Sequence, residues 1–188
     1  MKLVATELPG ALIVEPTVFG DDRGWFMESF NEARWVNALQ RAGQPLPRRF
    51  VQDNHSCSQA GVLRGLHYQL PPHGQGKLVR VTRGRVFDVA VDVRRASPRF
   101  GRWTGVELSG ENHRQLWIPP GFAHGFLVLS ESADFAYKTT EYWFAQSDRA
   151  IRWDDADIAI DWPAVAGAVV VGAKDRAAPA LAHAEVYP

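Results

Sequence analysis

The chain has 188 residues, a length that suits one domain spanning residues 1–188, and its 46% hydrophobic and 22% charged residues suit an ordinary packed core. Twenty-one basic residues balance twenty-one acidic ones, so the basic surplus of a nucleic-acid or membrane-surface binder is missing. A lone cysteine, Cys57, leaves neither an intramolecular disulfide nor a cysteine-rich zinc site. Met1–Pro9 reaches Glu7 and Pro9 before any hydrophobic run develops, and no later run is long enough to span a bilayer. The expectation is a soluble protein of a reducing compartment, the cytoplasm.

In chain order, the first regular signal is a helix that opens at Asn31 as N-cap and closes at Gly43, with Trp35, Val36, Leu39 and Ala42 at helical spacing. Beyond it the chain reads as short strands separated by Gly, Pro, Asn and Asp. They are Phe50–Ser58, Val62–Gln69, Lys77–Thr82, Arg85–Arg94, Thr104–Leu108, Gln115–Ile118, Gly125–Leu129 and Asp134–Phe144. Thr82-Arg83-Gly84 predicts a tight hairpin between two of them. So many short strands without βαβ alternation indicate an all-β sandwich or barrel with one or a few short helices.

Alternation along Arg85–Arg94 puts Phe87, Val89, Val91 and Val93 on one face and Val86, Asp88, Ala90 and Asp92 on the other. Asp92 reads as solvated. Asp88 reads equally as solvated or as pointing into a polar cavity.

Two segments carry chemistry. Gly61-Val62-Leu63-Arg64-Gly65-Leu66-His67-Tyr68-Gln69, then Lys77 and Gly84, resembles the first cupin motif, and Pro119-Pro120-Gly121-Phe122-Ala123-His124 resembles the second. Two ligand positions are altered: Gln69 stands where a second metal-binding His belongs, and Lys77 where a Glu belongs. An ammonium repels a divalent cation and attracts an anion or developing oxyanion. The expectation is a double-stranded β-helix (cupin, jelly roll) with no metal and no cofactor.

Longer runs then resemble a particular family, the dTDP-4-dehydrorhamnose 3,5-epimerases. They include Phe19-Gly20-Asp21-Asp22-Arg23-Gly24, Glu28-Ser29-Phe30, Val51-Gln52-Asp53-Asn54-His55-Ser56, Gly76-Lys77-Leu78-Val79-Arg80, Tyr137-Lys138 and Ala173-Lys174-Asp175. The resemblance implies a homodimeric jelly roll that inverts C3 and C5 of dTDP-4-dehydro-6-deoxy-glucose. Both carbons lie α to the C4 ketone, so each deprotonation builds charge on one oxygen. His67 suits the base, since imidazole titrates near working pH. The resemblance makes Asp175 the carboxylate that orients it, Lys77 the enolate-stabilising cation and Tyr137 the acid on the opposite face. Phe135 and Trp143 are expected to share the face of Tyr137.

A nucleotide diphosphate needs cations for phosphate and flat surfaces for thymine. By resemblance Arg23, Arg64 and Glu28 contact the nucleotide, while Asp148 and Lys174 are weaker candidates. Phe19, Phe26, Tyr142 and Trp143 are candidates for stacking. Gln52 and Asn54 share a strand face, as pocket-lining side chains should. His124 reads either as a leftover metal ligand or as a substrate contact paired with Asp88. Arg64 falls on the face opposite His67 unless a bulge at Gly65 re-aims one of them. In the family, part of the nucleotide site comes from the partner subunit, and an apolar second face on Arg85–Arg94 suits dimerisation. Two other readings stay open: a related dTDP-keto-sugar epimerase or ketoisomerase, and a non-catalytic sugar-binding cupin.

Overall fold

A computed structural model describes residues Met1–Pro188. The elements are β1 (Lys2–Ala5), β2 (Leu12–Glu15), β3 (Val18–Asp21), β4 (Gly24–Met27), α1 (Glu32–Arg41), β5 (Gln52–Gln59), β6 (Val62–Gln69), β7 (Lys77–Arg83) and β8 (Arg85–Asp92). They continue as β9 (Trp103–Ser109), β10 (Gln115–Ile118), β11 (Phe122–Val128), β12 (Ser132–Thr139), β13 (Asp148–Ala150), β14 (Val170–Val171) and α2 (Ala173–Arg176), ending in a 3₁₀ turn at Leu181–His183. One antiparallel sheet runs β1-β2-β10-β7-β12-β5, and the other runs β13-β6-β11-β8-β9, with β14 added parallel to β6. From β5 to β12 every connection except β8–β9 crosses between the sheets. That winding is the double-stranded β-helix of a cupin.

The Thr82-Arg83-Gly84 turn is therefore no hairpin. β7 pairs with β10 and β12, whereas β8 pairs with β11 and β9. A glycine turn signals a change of direction but does not specify which sheet the next strand joins. Gly84 (φ +77°) makes the crossing against the Ser132 carbonyl, where a Cβ would lie 2.0 Å from that oxygen.

Between the sheets, Val79, Val81, Leu116, Ile118 and Phe135 meet Val86, Ala90, Leu108, Phe122 and Phe126. Burial of each large apolar side chain contributes roughly 1.5–3 kcal/mol. On the outer face of the first sheet, α1 lays Trp35 and Leu39 over Leu12, Val14, Leu78 and Trp117. Asn31 caps this helix by accepting from Arg34 N–H at 3.1 Å, and Gly43 (φ +64°) follows its end.

The second sheet corrects two expectations. Val89, Val91 and Val93 are covered by the chain's own Ile151, Ile158, Leu181 and Ala184, so these three side chains are taken up within the protomer, while Phe87 on the same face is partly buried. Alternation reveals an apolar face but not what covers it. Asp92 is not solvated either: it is fully buried and accepts from the Arg94 guanidinium and from Ser97 Oγ. Residues 140–144 also leave the strand predicted through Phe144, since β12 ends at Thr139. Trp143 consequently does not share the face of Tyr137 and stands exposed.

Candidate active site

β6 carries the first functional side chains, and a bulge aims them. His67 lies opposite His124 and Arg64 opposite Phe126 on β11, so Gly65 and Leu66 together face the single Gly125. Gly65 has φ +137°, and a Cβ there would lie 2.5 Å from Gly125 Cα. Leu63, Leu66 and Tyr68 point outward into apolar clusters. The extra residue thus returns Arg64 and His67 to the inner face, which strict alternation would have separated.

The bulge also binds the carboxylate that orients His67. β14 runs beside Val62 and Leu63 of β6 and delivers α2 to this point. Asp175 Oδ2 accepts from Gly65 N–H at 3.1 Å, and Oδ1 lies 2.5 Å from His67 Nε2. Burial opposes ionisation of Asp175, but the bond to His67, the charge of His67, Gly65 N–H and Lys174 outweigh it and hold its pKa below the usual value. An ionised Asp175 requires the imidazole proton on Nε2, which leaves the Nδ1 lone pair free to accept one.

Lys77, at the start of β7, is buried, and its ammonium donates to the His67 carbonyl at 3.2 Å. Burial lowers its pKa to about 8, with the charges of Asp148 and Asp88 opposing the shift. At neutral pH it remains mostly cationic. Below it, His124 Nε2 contacts both oxygens of Asp88, at 3.0 and 3.2 Å, and both residues are buried. Burial pushes the Asp88 pKa up and the His124 pKa down, so each group resists carrying charge alone. The His124 ring stacks on Phe135 at 5.8 Å, and Phe135 stacks on Phe126 at 4.2 Å, forming an aromatic floor.

Tyr137 stands on that floor across the ladder from Asn54. Burial raises the pKa of its phenol, and the Arg64 charge acts in the opposite sense. Gln52 Nε2 donates to Asn54 Oδ1 at 3.0 Å, while Asp53 turns outward to Lys138. Asn54 Nδ2 is buried without a partner on this wall. The same alternation extends to Ser58, whose Oγ accepts from Arg64 Nε at 3.0 Å. Sequence reasoning passed over Ser58, although its even spacing from Gln52 and Asn54 signals the same face.

Other candidates lie elsewhere in the chain. Arg23, Phe19 and Phe26 sit on the β3–β4 ribbon, which joins neither sheet. Phe19 and Phe26 are mostly exposed, and Arg23 bonds only to neighbouring Asp21. Glu28 bonds to Asn31 and Arg34 at the start of α1. Lys174 pairs with Asp148 at 2.5 Å beside Asp175. A cavity of about 780 Å³ lined by Glu7, Arg99, Arg102 and Trp103 among others holds none of His67, Lys77, Tyr137 and Asp175. No three His, Cys, Asp or Glu side chains converge anywhere as a metal would require.

Fold and site together define the class: a cupin with Gln69 and a buried Lys77 at two metal-ligand positions, and with its motif histidine His67 paired instead with the carboxylate of Asp175. Comparison with known proteins narrows it further. Residues 5–183 match the family model of dTDP-4-dehydrorhamnose 3,5-epimerase, and the chain belongs to that family. It is 54% identical to the dTDP-4-dehydrorhamnose 3,5-epimerase of Pseudomonas aeruginosa over 188 residues, covering 100% of both chains. The Shigella flexneri enzyme of the same name is 58% identical over 163 residues, 87% of each. Among solved structures, the dTDP-6-deoxy-D-glucose-3,5-epimerase of Legionella pneumophila in complex with dTDP-4-keto-L-rhamnose superposes with a TM-score of 0.91 at 52% identity, covering 97% of this chain and 93% of that one.

Proposed function

We propose that this enzyme epimerises dTDP-4-dehydro-6-deoxy-glucose at C3 and C5 to dTDP-4-dehydro-L-rhamnose through enolates of the C4 ketone, in nucleotide-sugar rhamnose biosynthesis. The observation that carries the mechanism is the Asp175–His67 pair set beside the ammonium of Lys77. His67 Nδ1 removes the proton from C3 or C5, and Asp175 stabilises the imidazolium that forms. The electrons move onto the C4 oxygen, where the buried ammonium of Lys77 offsets the charge. Tyr137 supplies a proton to the other face, and its phenolate is stabilised by the neighbouring Arg64 charge. Asn54, Gln52, Asp88 and His124 fix the ring from the floor and wall. No step uses a metal ion or an organic cofactor.

The nucleotide lies outside this cluster of side chains, with Arg64, Lys174 and Asp148 at its edge and Tyr142 and Trp143 offering aromatic surface. Arg23, Glu28 and Phe26 serve the nucleotide of a second copy in a homodimer. Two observations support this: the β3–β4 ribbon that carries Arg23 and Phe26 pairs with neither sheet, and Phe19, Trp25 and Phe26 are each about three-fifths or more exposed. No helix is long and apolar enough to cross a membrane; the enzyme we propose acts in the cytoplasm on a nucleotide sugar. The decisive experiment is incubation with the dTDP-4-keto sugar in deuterated water. NMR is expected to show deuterium entering both C3 and C5 and the doubly inverted product accumulating. Exchange at one carbon alone would make this a mono-epimerase, and no exchange would leave a binding protein.

A further inference from the structure

Gln69 occupies a metal-ligand position of the cupin motif, yet its side chain serves neither metal nor the acid–base set. It ends β6, two residues beyond His67, and is 3% exposed. Its amide makes three hydrogen bonds, all to main-chain atoms of the two loops at this end of the barrel. Nε2 donates to the carbonyls of His73 (2.7 Å) and Tyr142 (3.1 Å), and Oε1 accepts from Phe144 N–H at 2.7 Å. From the opposite sheet, Gln52 Oε1 accepts from Trp143 N–H at 3.1 Å. Two consecutive amides of one loop are thus held by glutamines rooted in the two different sheets.

The loop so held is unusual in what it exposes. Tyr142 and Trp143 are 61% and 60% exposed and Phe144 is 40% exposed, with Phe144 stacked on His73 at 4.0 Å. Large aromatic side chains left in solvent on a backbone fixed by buried amides form a preorganised stacking surface. Such a surface binds a flat ring without first having to order itself.

We infer that Gln69 is a positioning residue that ties the Tyr142–Phe144 segment to the strand carrying the base and so holds an aromatic platform for the base of the nucleotide. The inference rests on the reading above that a thymidine nucleotide docks at this mouth. Gln69 acts on binding and leaves proton transfer to others, since its polar atoms are all committed to the loops. A role confined to sealing the barrel would predict lost stability with no separation of binding from turnover.

The test uses Gln69→Met, which keeps the length and removes all three bonds, and Gln69→Glu, which keeps the acceptor for Phe144 N–H and loses both donors. Amide hydrogen exchange of residues 141–147, calorimetric binding of dTDP, and kcat and KM are measured on both variants and the natural enzyme. In Gln69→Met, exchange in 141–147 and the Kd for dTDP should each rise about tenfold, with KM following and kcat within about twofold, the scale of a net hydrogen bond lost from the bound arrangement. Gln69→Glu should show the same pattern. Unchanged exchange and Kd would overturn the proposal, as would a fall in kcat at unchanged Kd. Failure of both variants to fold would mark Gln69 as a structural plug and equally overturn it. If the natural enzyme itself binds no dTDP, the nucleotide reading fails visibly in the control, and the platform for a nucleotide base fails with it.

Discussion

The ammonium of Lys77 donates to the main-chain carbonyl of His67 at 3.2 Å, across from one sheet to the other. Cation and base are therefore linked through the backbone of the base itself. The ammonium keeps hydrogens for a developing oxyanion while its stem is fixed by burial. Preorganisation of this kind is what makes an electrostatic contact worth more inside a protein than in water. Its cost appears in the lowered pKa of Lys77, about 8.

Lys77→Ala should keep the fold and nucleotide binding and slow turnover roughly 10²–10³-fold, the ~3–4 kcal/mol lost with one preorganised oxyanion donor. In the proposed mechanism Lys77 works when protonated, so in the natural enzyme kcat/KM should decline as pH rises through about 8. Lys77→Arg carries a guanidinium that stays charged throughout this range. Its activity should be lower, because the fork does not match a point charge, but the alkaline decline should disappear. An unchanged decline in that variant would assign it to another group.

His67→Asn should abolish deuterium incorporation at both C3 and C5, since the proposed mechanism has one imidazole serve both carbons. Asp175→Asn should be milder, because it keeps the base but favours the tautomer with the proton on the wrong nitrogen. Loss of exchange at only one carbon in His67→Asn would require a second base. His124 is the nearest imidazole, but Asp88 already engages its Nε2.

Gly65→Ala tests the bulge. The backbone there has φ +137°, and the new Cβ would approach Gly125 Cα to 2.5 Å, a main-chain atom that cannot swing aside. A non-glycine residue in this region costs about 1–3 kcal/mol for the backbone alone. Denaturant unfolding should show at least that loss, and the residual folded enzyme should be less active because Gly65 N–H also holds Asp175. Gly43→Ala, with open space around its Cβ position, is the control for a positive-φ glycine without a close approach. Equal stability losses in the two variants would remove the steric argument.

The central strands were legible because each has an inner face, and Gly, Pro and Asn punctuate them. β6 and β10 have the bounds their sequences predict, Val62–Gln69 and Gln115–Ile118. β3 and β4 were not foreseen: Phe19, Trp25 and Phe26 are exposed, so no contrast between inside and outside marks them. Residues 151–188 are mostly irregular and show no period, yet they cover the second sheet. Alternation correctly put Gln52 and Asn54 together, and it could only flag the conflict between Arg64 and His67. Asp175 lies 108 residues from His67 and was accessible by resemblance alone. Gln69 was read for the ligand it replaces, and its hydrogen bonds to two loops have no sequence signature.

Epimerisation requires a proton to leave one face of the ring and a different one to reach the other, and Tyr137→Phe separates these halves. His67 cannot supply the opposite face without a large movement, because Asp175 and the bulge fix its ring. Tyr137 rises from the wall formed by β5 and β12, which belong to the other sheet. Its phenol is half-buried, and burial raises its pKa, keeping the proton in place until an enolate basic enough to take it develops. The substitution removes one oxygen and keeps the ring, so the contact with Phe135, 6.2 Å between centroids, should survive and the fold with it. The variant should therefore still exchange substrate protons with deuterated solvent through His67, returning them to the face they left. Inverted product should fall by about 10²–10⁴, the usual worth of one general acid. Exchange and inversion falling together would mean that the phenol assists deprotonation as well, whereas wild-type inversion would reduce Tyr137 to packing and assign the acid to water or another side chain.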